Sequence, residues 1–252
     1  MNVQINRVVI IITLIMTLAV FVTSVMDSRS EPLPDFSIYK DVKQKKSAFF
    51  GYILPLVVEQ NTLIQSQRDK LIELKHLSQE EYSRSQLTFL TDLSDQYRLT
   101  SSEEITPDLV NQLLVRVDQV PASLALAQAA MESAWGTSRF AVQANNLFGQ
   151  WCYQEGCGLV PLRRNAGSKH EVAKFDSVSD AIKSYLRNLN THRAYTDLRE
   201  QRASLRNAGQ TVTGHKLAEG LIDYSELREA YVHEIQAVIR INTLAKYDSE
   251  AD

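Results

Sequence analysis

The longest apolar stretch opens the chain, where "RVVIIITLIMTLAVFVTSVM" places 19 uncharged residues, Val8 to Met26, behind Arg7. A run of that length spans a bilayer core as a helix. It exceeds the apolar stretch of about 7 to 15 residues in a cleaved signal peptide, and "VTSVMDS" offers a poor small-x-small cleavage point. Residues 1–30 are therefore read as an uncleaved signal-anchor, with export followed by cleavage as the alternative. "SRSEPLPDFS" then has the composition of a linker. From Asp41 to about Leu99 the pattern is helical, with Phe50, Leu54, Val57, Val58, Ile64, Leu71 and Leu74 at helix-compatible intervals. Pro55 is expected to kink or divide that helix. Residues 31–104 thus form a linker and helical arm.

A second organised region begins at "TSSEEITPDLVNQLLVRVDQVP". Thr106 suits the helix cap, and Pro107 suits the first helical position, where its missing N–H costs nothing. "PASLALAQAAMESAWG" follows as an alanine-rich helix whose small side chains let neighbouring backbones approach, with Gly136 as its end signal. Between about Asn145 and Asp176 helical periodicity lapses. There "GLVPLRR" and "SKHEVAKF" across "NAG" read as two short strands and a turn. "SVSDAIKSYLRNLNTHRAYTDLRE", "TGHKLAEGLIDY" and "SELREAYVHEIQAVIRINTLAKY" then return to helix. Residues 105–252 are expected to form a mainly α domain with a small β-hairpin lobe.

Net charge is -3, so no overall electrostatic case exists for nucleic-acid binding. Cys152 and Cys157 are the only two cysteines, and the residues between them, "YQEG", can turn tightly at Gly156. An exported segment plus two nearby cysteines points to a disulfide in an oxidising compartment. A zinc site lacks further ligands at recognisable spacing, since the histidines are scattered and neither HExxH nor a second CxxC occurs.

The distinctive chemistry is a single carboxylate, Glu132, near the carboxy end of the alanine-rich helix. Met131, Ala134 and Trp135 around it are apolar, and the helix dipole disfavours negative charge there. Desolvation and the dipole both push its pKa upward, toward what a general acid needs.

"LALAQAAMESAWGTSRFAVQANNLFG" resembles the active-site signature of the N-acetylglucosaminidases of glycoside hydrolase family 73. The longer pattern, with "WCYQEGCGLVP" and the preceding arm, is similar to Bax-type glucosaminidase-domain proteins of Gram-negative bacteria. The resemblance covers about Pro107 to Lys246. It implies an α+β lysozyme-like fold, with Glu132 as catalytic acid before the small-Trp-Gly triplet of Ala134, Trp135 and Gly136. It also implies an asparagine-rich turn, Asn145-Asn146-Leu147-Phe148-Gly149, and peptidoglycan glycan strands as the partner. A second carboxylate is implied on the hairpin, where Glu171 in "SKHEVAKF" matches loosely and Glu155 or Asp176 are alternatives. A site tyrosine is implied in "EGLIDYSELREAY", which assigns Tyr224 to the site and Tyr231 to packing. Trp135, Asn146, Phe148 and Trp151 are candidate substrate contacts, with core or turn-forming roles as the alternative for Trp135, Phe148 and the asparagines.

"FGQWCYQ" departs from the Phe-Gly-x-Lys continuation usual in the family. The Cys152–Cys157 loop is absent from many members. The chemistry requires no metal or organic cofactor. The resulting expectation is a glycosidase held at the inner membrane with its catalytic domain in the periplasm. A lytic transglycosylase and a non-catalytic glycan-binding scaffold are the competing readings.

Overall fold

The computed structural model describes residues 32–99, 106–162, 164, 167 and 169–248. The expected anchor, Val8 to Met26, lies outside them. Among the described residues no helix is long and apolar enough to cross a membrane.

The chain is mainly helical, as its periodicity predicts. Helix α1 runs over Val42–Leu74, α2 over Arg84–Gln96, α3 over Pro107–Arg116, α4 over Ala122–Glu132 and α5 over Arg139–Ala144. After a short sheet come α6 (Val178–Thr191), α7 (Thr196–Asn207), α8 (Gly214–Leu217) and α9 (Glu229–Ile241). Thr106 Oγ1 accepts from Leu109 N, so α3 starts at the expected cap with Pro107 inside it. Pro55 does not divide α1, which is one helix of 33 residues. The stretch expected as one helix from Ser177 to Glu200 breaks at His192, whose extended backbone (φ -73°, ψ 141°) separates α6 from α7.

The sheet has three strands in the order β1-β3-β2: β1 (Trp151–Cys152), β2 (Gly158–Leu159) and β3 (Glu171–Ala173). Both pairings are antiparallel, with Trp151 opposite Val172, Cys152 opposite Glu171, and Leu159 opposite Val172. The predicted pairing of the segments around "NAG" is present, and β1 adds a strand that the pattern of "FGQWC" did not announce.

Helix α4 is the hub. Its small residues Ala125, Ala127, Ala129 and Ala130 are fully buried, as in a helix packed on all sides. It contacts α1, α8, α9 and the final turn at Leu244–Tyr247. Two apolar cores share α1. Phe49, Phe50, Ile53 and Val57 join the core around α4, while Leu71 and Leu74 join a second core with α2 and α3. The arm and the lobe that follows it are therefore continuous through one helix.

Between α3 and α4 the chain is clamped by charge. Buried Asp118 takes both Arg206 Nε and Arg206 Nη2 at 2.6 Å, with Arg202 Nε at 3.6 Å and Arg68 Nη1 at 3.5 Å. The arginines also donate to carbonyls in the last turn of α3 and in the segment after it: Arg68 to Leu114 and Val117, and Arg202 to Val115, Asp118 and Gln119. Burial lowers the Arg202 pKa to about 10, yet it stays charged because the carbonyls and Asp118 surround it. This clamp sets the start of α4 and hence the position of the acid at its end.

Candidate active site

Helix α4 stops at Glu132, and the stop is built locally. Ser133 Oγ donates to Ala129 O at 2.6 Å and accepts from Gly136 N at 2.7 Å. Trp135 N and Ser138 N reach back to Ala130 O and Ser133 O. Ala134, Trp135 and Gly136 all adopt left-handed backbone, with φ of 50°, 60° and 76°. For the two non-glycine residues this costs about 1 to 2 kcal/mol each, a strain that persists only where packing enforces it. The packing is visible. The Trp135 ring meets Phe49 and Phe50 of α1 edge-on at 5.8 and 5.3 Å, with Lys46 Nζ 4.7 Å from its centroid. A Cβ on Gly136 would lie 2.5 Å from the Phe36 ring, so only glycine fits.

The turn leaves Glu132 largely buried at a helix carboxy end. Burial raises its pKa, opposed by a hydrogen bond from Tyr231. That bond belongs to a relay. Tyr185 Oη donates to Gln128 Oε1 at 2.5 Å, Gln128 Nε2 donates to Tyr231 Oη at 3.0 Å, and Tyr231 Oη donates to Glu132 Oε1 at 2.8 Å. Because the Tyr231 oxygen already accepts from Gln128, its proton points at Oε1. A protonated Glu132 then carries its own proton on Oε2. Oε2 faces Gly149, whose missing Cβ would sit 3.7 Å away. The proton-bearing oxygen thus looks onto bare backbone, with room for a reacting atom.

Tyr224 is placed differently from the expectation. Its hydroxyl donates to Phe148 O at 2.8 Å, and its ring stacks on Tyr231 with centroids 5.2 Å apart and planes 6° apart. It buttresses Tyr231 and pins the Leu-Phe-Gly turn, while Tyr231, read from the sequence as packing, is the tyrosine that touches the acid. Burial raises the pKa of both phenols, so they remain donors. The sequence held one cue: Gln128 lies four residues before Glu132, on the same helix face, and a buried amide needs partners.

The asparagine turn is structural. Asn146 is buried, with Nδ2 donating to Gln150 O and Ala173 O and Oδ1 accepting from Phe148 N and Gln150 N. Its amide is fully used in tying the turn to β3. Asn145, at φ 53°, ends α5 and donates to Phe175 O and Asp176 O. Phe148 is buried and stacks on Tyr185 at 3.9 Å. Trp151 is the exposed aromatic of the set, 59% accessible and stacked on His170 at 4.0 Å.

Glu171 is buried on β3, and its carboxylate accepts from Gly156 N at 3.1 Å and Gly158 N at 2.8 Å. Those amides flank Cys157, which is disulfide-bonded to Cys152 as expected, with Cα atoms 6.2 Å apart. Each Glu171 oxygen therefore holds one amide of the cysteine loop. Cys152, Cys157 and Glu171 cluster within 4.8 Å, but oxidised sulfurs are not thiolate ligands, so the cluster does not fit a metal. The alternatives Glu155 and Asp176 are exposed.

A family model named Glucosaminidase, described as mannosyl-glycoprotein endo-beta-N-acetylglucosaminidase, matches residues 110–244. Protein bax of Escherichia coli (strain K12) is 34% identical over 215 residues, spanning 85% of this chain and 76% of that protein. The chain belongs to the glucosaminidase family. Among solved structures, the catalytic domain of the autolysin Auto from Listeria monocytogenes is similar at a TM-score of 0.39 and 20% identity, over 73% of this chain and 96% of that one. The glucosaminidase is a glycoside hydrolase. Its matched segment holds Glu132, the tyrosine relay and the sheet.

Proposed function

We propose that this glucosaminidase hydrolyses N-acetylglucosaminyl bonds in the glycan of peptidoglycan, with Glu132 as general acid. The observation that carries the reading is the asymmetric Glu132 carboxyl: Oε1 held by Tyr231, Oε2 open beside Gly149. In the reaction Glu132 Oε2 gives its proton to the glycosidic oxygen as the bond from that oxygen to the sugar's anomeric carbon breaks. Negative charge develops on Glu132 as positive charge develops on the sugar ring. The Tyr231 hydrogen bond strengthens on the anion, which is stabilisation specific to the transition state. A glycosidase commonly uses a second carboxylate for the cationic centre and water. Glu171 is engaged by the loop amides, so the proposal gives the assisting role to the substrate's own acetamido oxygen, with water completing the hydrolysis.

Digestion of purified peptidoglycan by wild-type and Glu132→Gln protein, read by mass spectrometry, tests this. The two products of each cut are expected to gain one water between them, and turnover falls at least about 100-fold in the variant, the lower range for general acid catalysis. Products lacking that water would indicate internal ring closure instead, and undiminished turnover would remove Glu132 from the mechanism.

The proposed setting is the periplasmic face of the inner membrane, with Val8 to Met26 as tether. A high-salt wash should leave the full-length chain in the membrane fraction. Soluble protein beginning near Asp27 would defeat the tether and leave the chemistry intact.

A further inference from the structure

A concavity of about 330 Å³ lies where three parts of the fold meet. Arg98 comes from the end of α2, Asp180, Lys183 and Arg187 from α6, and Gln150 and Trp151 from the turn into β1. Positions 180, 183 and 187 are three and four residues apart and so share one helix face. Cations outnumber the single carboxylate, and Asp180 Oδ2 already accepts from Ser177 Oγ at 2.7 Å. Among the described residues, none of Arg98, Lys183 and Arg187 is in a salt bridge.

The cationic side is built rather than incidental. Arg187 Nε donates to Gln96 O at 2.9 Å, which aims the guanidinium, and its terminal nitrogens make no hydrogen bond among the described residues and can meet an acceptor. Arg98 occupies a left-handed position (φ 55°) that closes α2, with Leu99 N bonded to Ser94 O at 2.9 Å. Glycine would be unstrained there, so the arginine is held at a conformational cost. Gln150 is locked by Ala181 O and Ser184 Oγ at 2.9 and 2.8 Å. It directly follows Gly149, which faces Glu132 Oε2. The cavity therefore begins one residue, about 3.8 Å of backbone, from the wall of the catalytic site. Trp151 on its rim presents the flat apolar face that suits a sugar ring.

We propose that this cavity is a subsite for a carboxylate-bearing substituent of the glycan, namely the peptide stem carried on alternate sugars of a peptidoglycan strand. Arg98, Lys183 and Arg187 pair with the stem's carboxylates while Trp151 stacks on the neighbouring sugar. The inference rests on the peptidoglycan reading and narrows it: the enzyme distinguishes peptide-bearing from bare glycan, and the arm supplies one of the discriminating charges.

The test compares kcat/KM on peptide-bearing glycan strands with kcat/KM on the same strands stripped of peptide by an amidase. It uses wild-type protein, the Arg98→Gly/Lys183→Gln double variant and a Lys43→Gln control. Arg98→Gly relaxes the left-handed position, so loss of folding is not expected, and a thermal melt checks it. The ratio of the two kcat/KM values should fall about 5- to 10-fold in the double variant, as for two partly exposed ion pairs. It should hold in the control, and the wild-type ratio should shrink as salt rises. In parallel, soluble stem peptide and an oligomeric glycerol phosphate are titrated while tryptophan fluorescence is followed. An unchanged ratio, or preferential binding of the phosphodiester, overturns the proposal. If wild-type protein cuts neither glycan, the peptidoglycan reading fails. The titration then decides the subsite alone, by whether stem-peptide binding exists and is lost in the double variant.

Discussion

Replacing Tyr231 by Phe removes one oxygen and tests the relay directly. The hydroxyl donates to Glu132 Oε1 at 2.8 Å and accepts from buried Gln128 Nε2 at 3.0 Å. Its loss leaves the Gln128 donor without an acceptor, and an orphaned buried polar group costs about 1 to 3 kcal/mol. The catalytic cost is separate. A hydrogen bond to a charged acceptor contributes about 1.5 to 3 kcal/mol, against about 1 for a neutral one. The surplus available only as Glu132 becomes anionic is therefore about 0.5 to 2 kcal/mol, which is about 2- to 30-fold in kcat. The pH profile carries the sign. Tyr231 favours ionised Glu132, so removing it raises the acid's pKa further and moves the alkaline limb of kcat/KM to higher pH. Tyr224→Phe loses only the bond to Phe148 O and should lower stability without moving that limb. A Tyr231→Phe enzyme whose alkaline limb stays in place or moves down would refute the relay as a tuning device.

Glu132→Gln should melt higher than wild type at neutral pH. The folded pKa of Glu132 is raised by burial, so the folded state holds the proton more tightly, and stability is lost as pH rises through that pKa. The gain in the variant should vanish below about pH 4.5, the ordinary glutamate value, where both states are protonated; melting curves across pH check this. Asp118→Ala strands three arginines around a buried space and should cost about 3 to 5 kcal/mol in denaturant unfolding; a loss under about 1 kcal/mol would contradict the clamp. Replacing both Cys152 and Cys157 by Ser opens a loop with a sequence separation of 5. It should cost at most about 2 kcal/mol by loop entropy, a limit that urea melts can exceed only if the loop supports more than itself.

Much of this was legible in the residues. Apolar spacing predicts most of the helices because their buried residues recur at helical intervals, and the cap at Thr106 is chemically local. Glu132 stands out because a glutamate, ordinarily a solvated helix residue, sits here at a helix carboxy end among apolar neighbours and within the signature that surrounds it. What the sequence could not show are facts of tertiary contact. Pro55 fails to divide α1 because the residues on both sides of it, Phe49, Phe50 and Ile53 before and Val57 after, pack into one and the same core. Glu171 reads as a free strand carboxylate until the fold brings the amides of Gly156 and Gly158 onto it. Tyr224 and Tyr231 are interchangeable in a motif, and only their stacking order decides which hydroxyl reaches the acid. The cationic cavity is spread over residues 98 to 188, a separation that no local pattern bridges.

The contact between Phe36 and Gly136 fixes a length. Phe36 is buried against the turn that follows the acid, so the catalytic lobe effectively begins at that residue. Under the proposed tether, only residues 27–35 separate the end of the apolar run at Met26 from this anchor. Even fully extended, at about 3.3 to 3.6 Å per residue, that chain reaches about 30 Å. The enzyme would then work as on a short leash, with access to the glycan layers nearest the membrane and none to those beyond. Lengthening the chain between Met26 and Phe36 would deepen the cutting zone without touching a single residue of the active site.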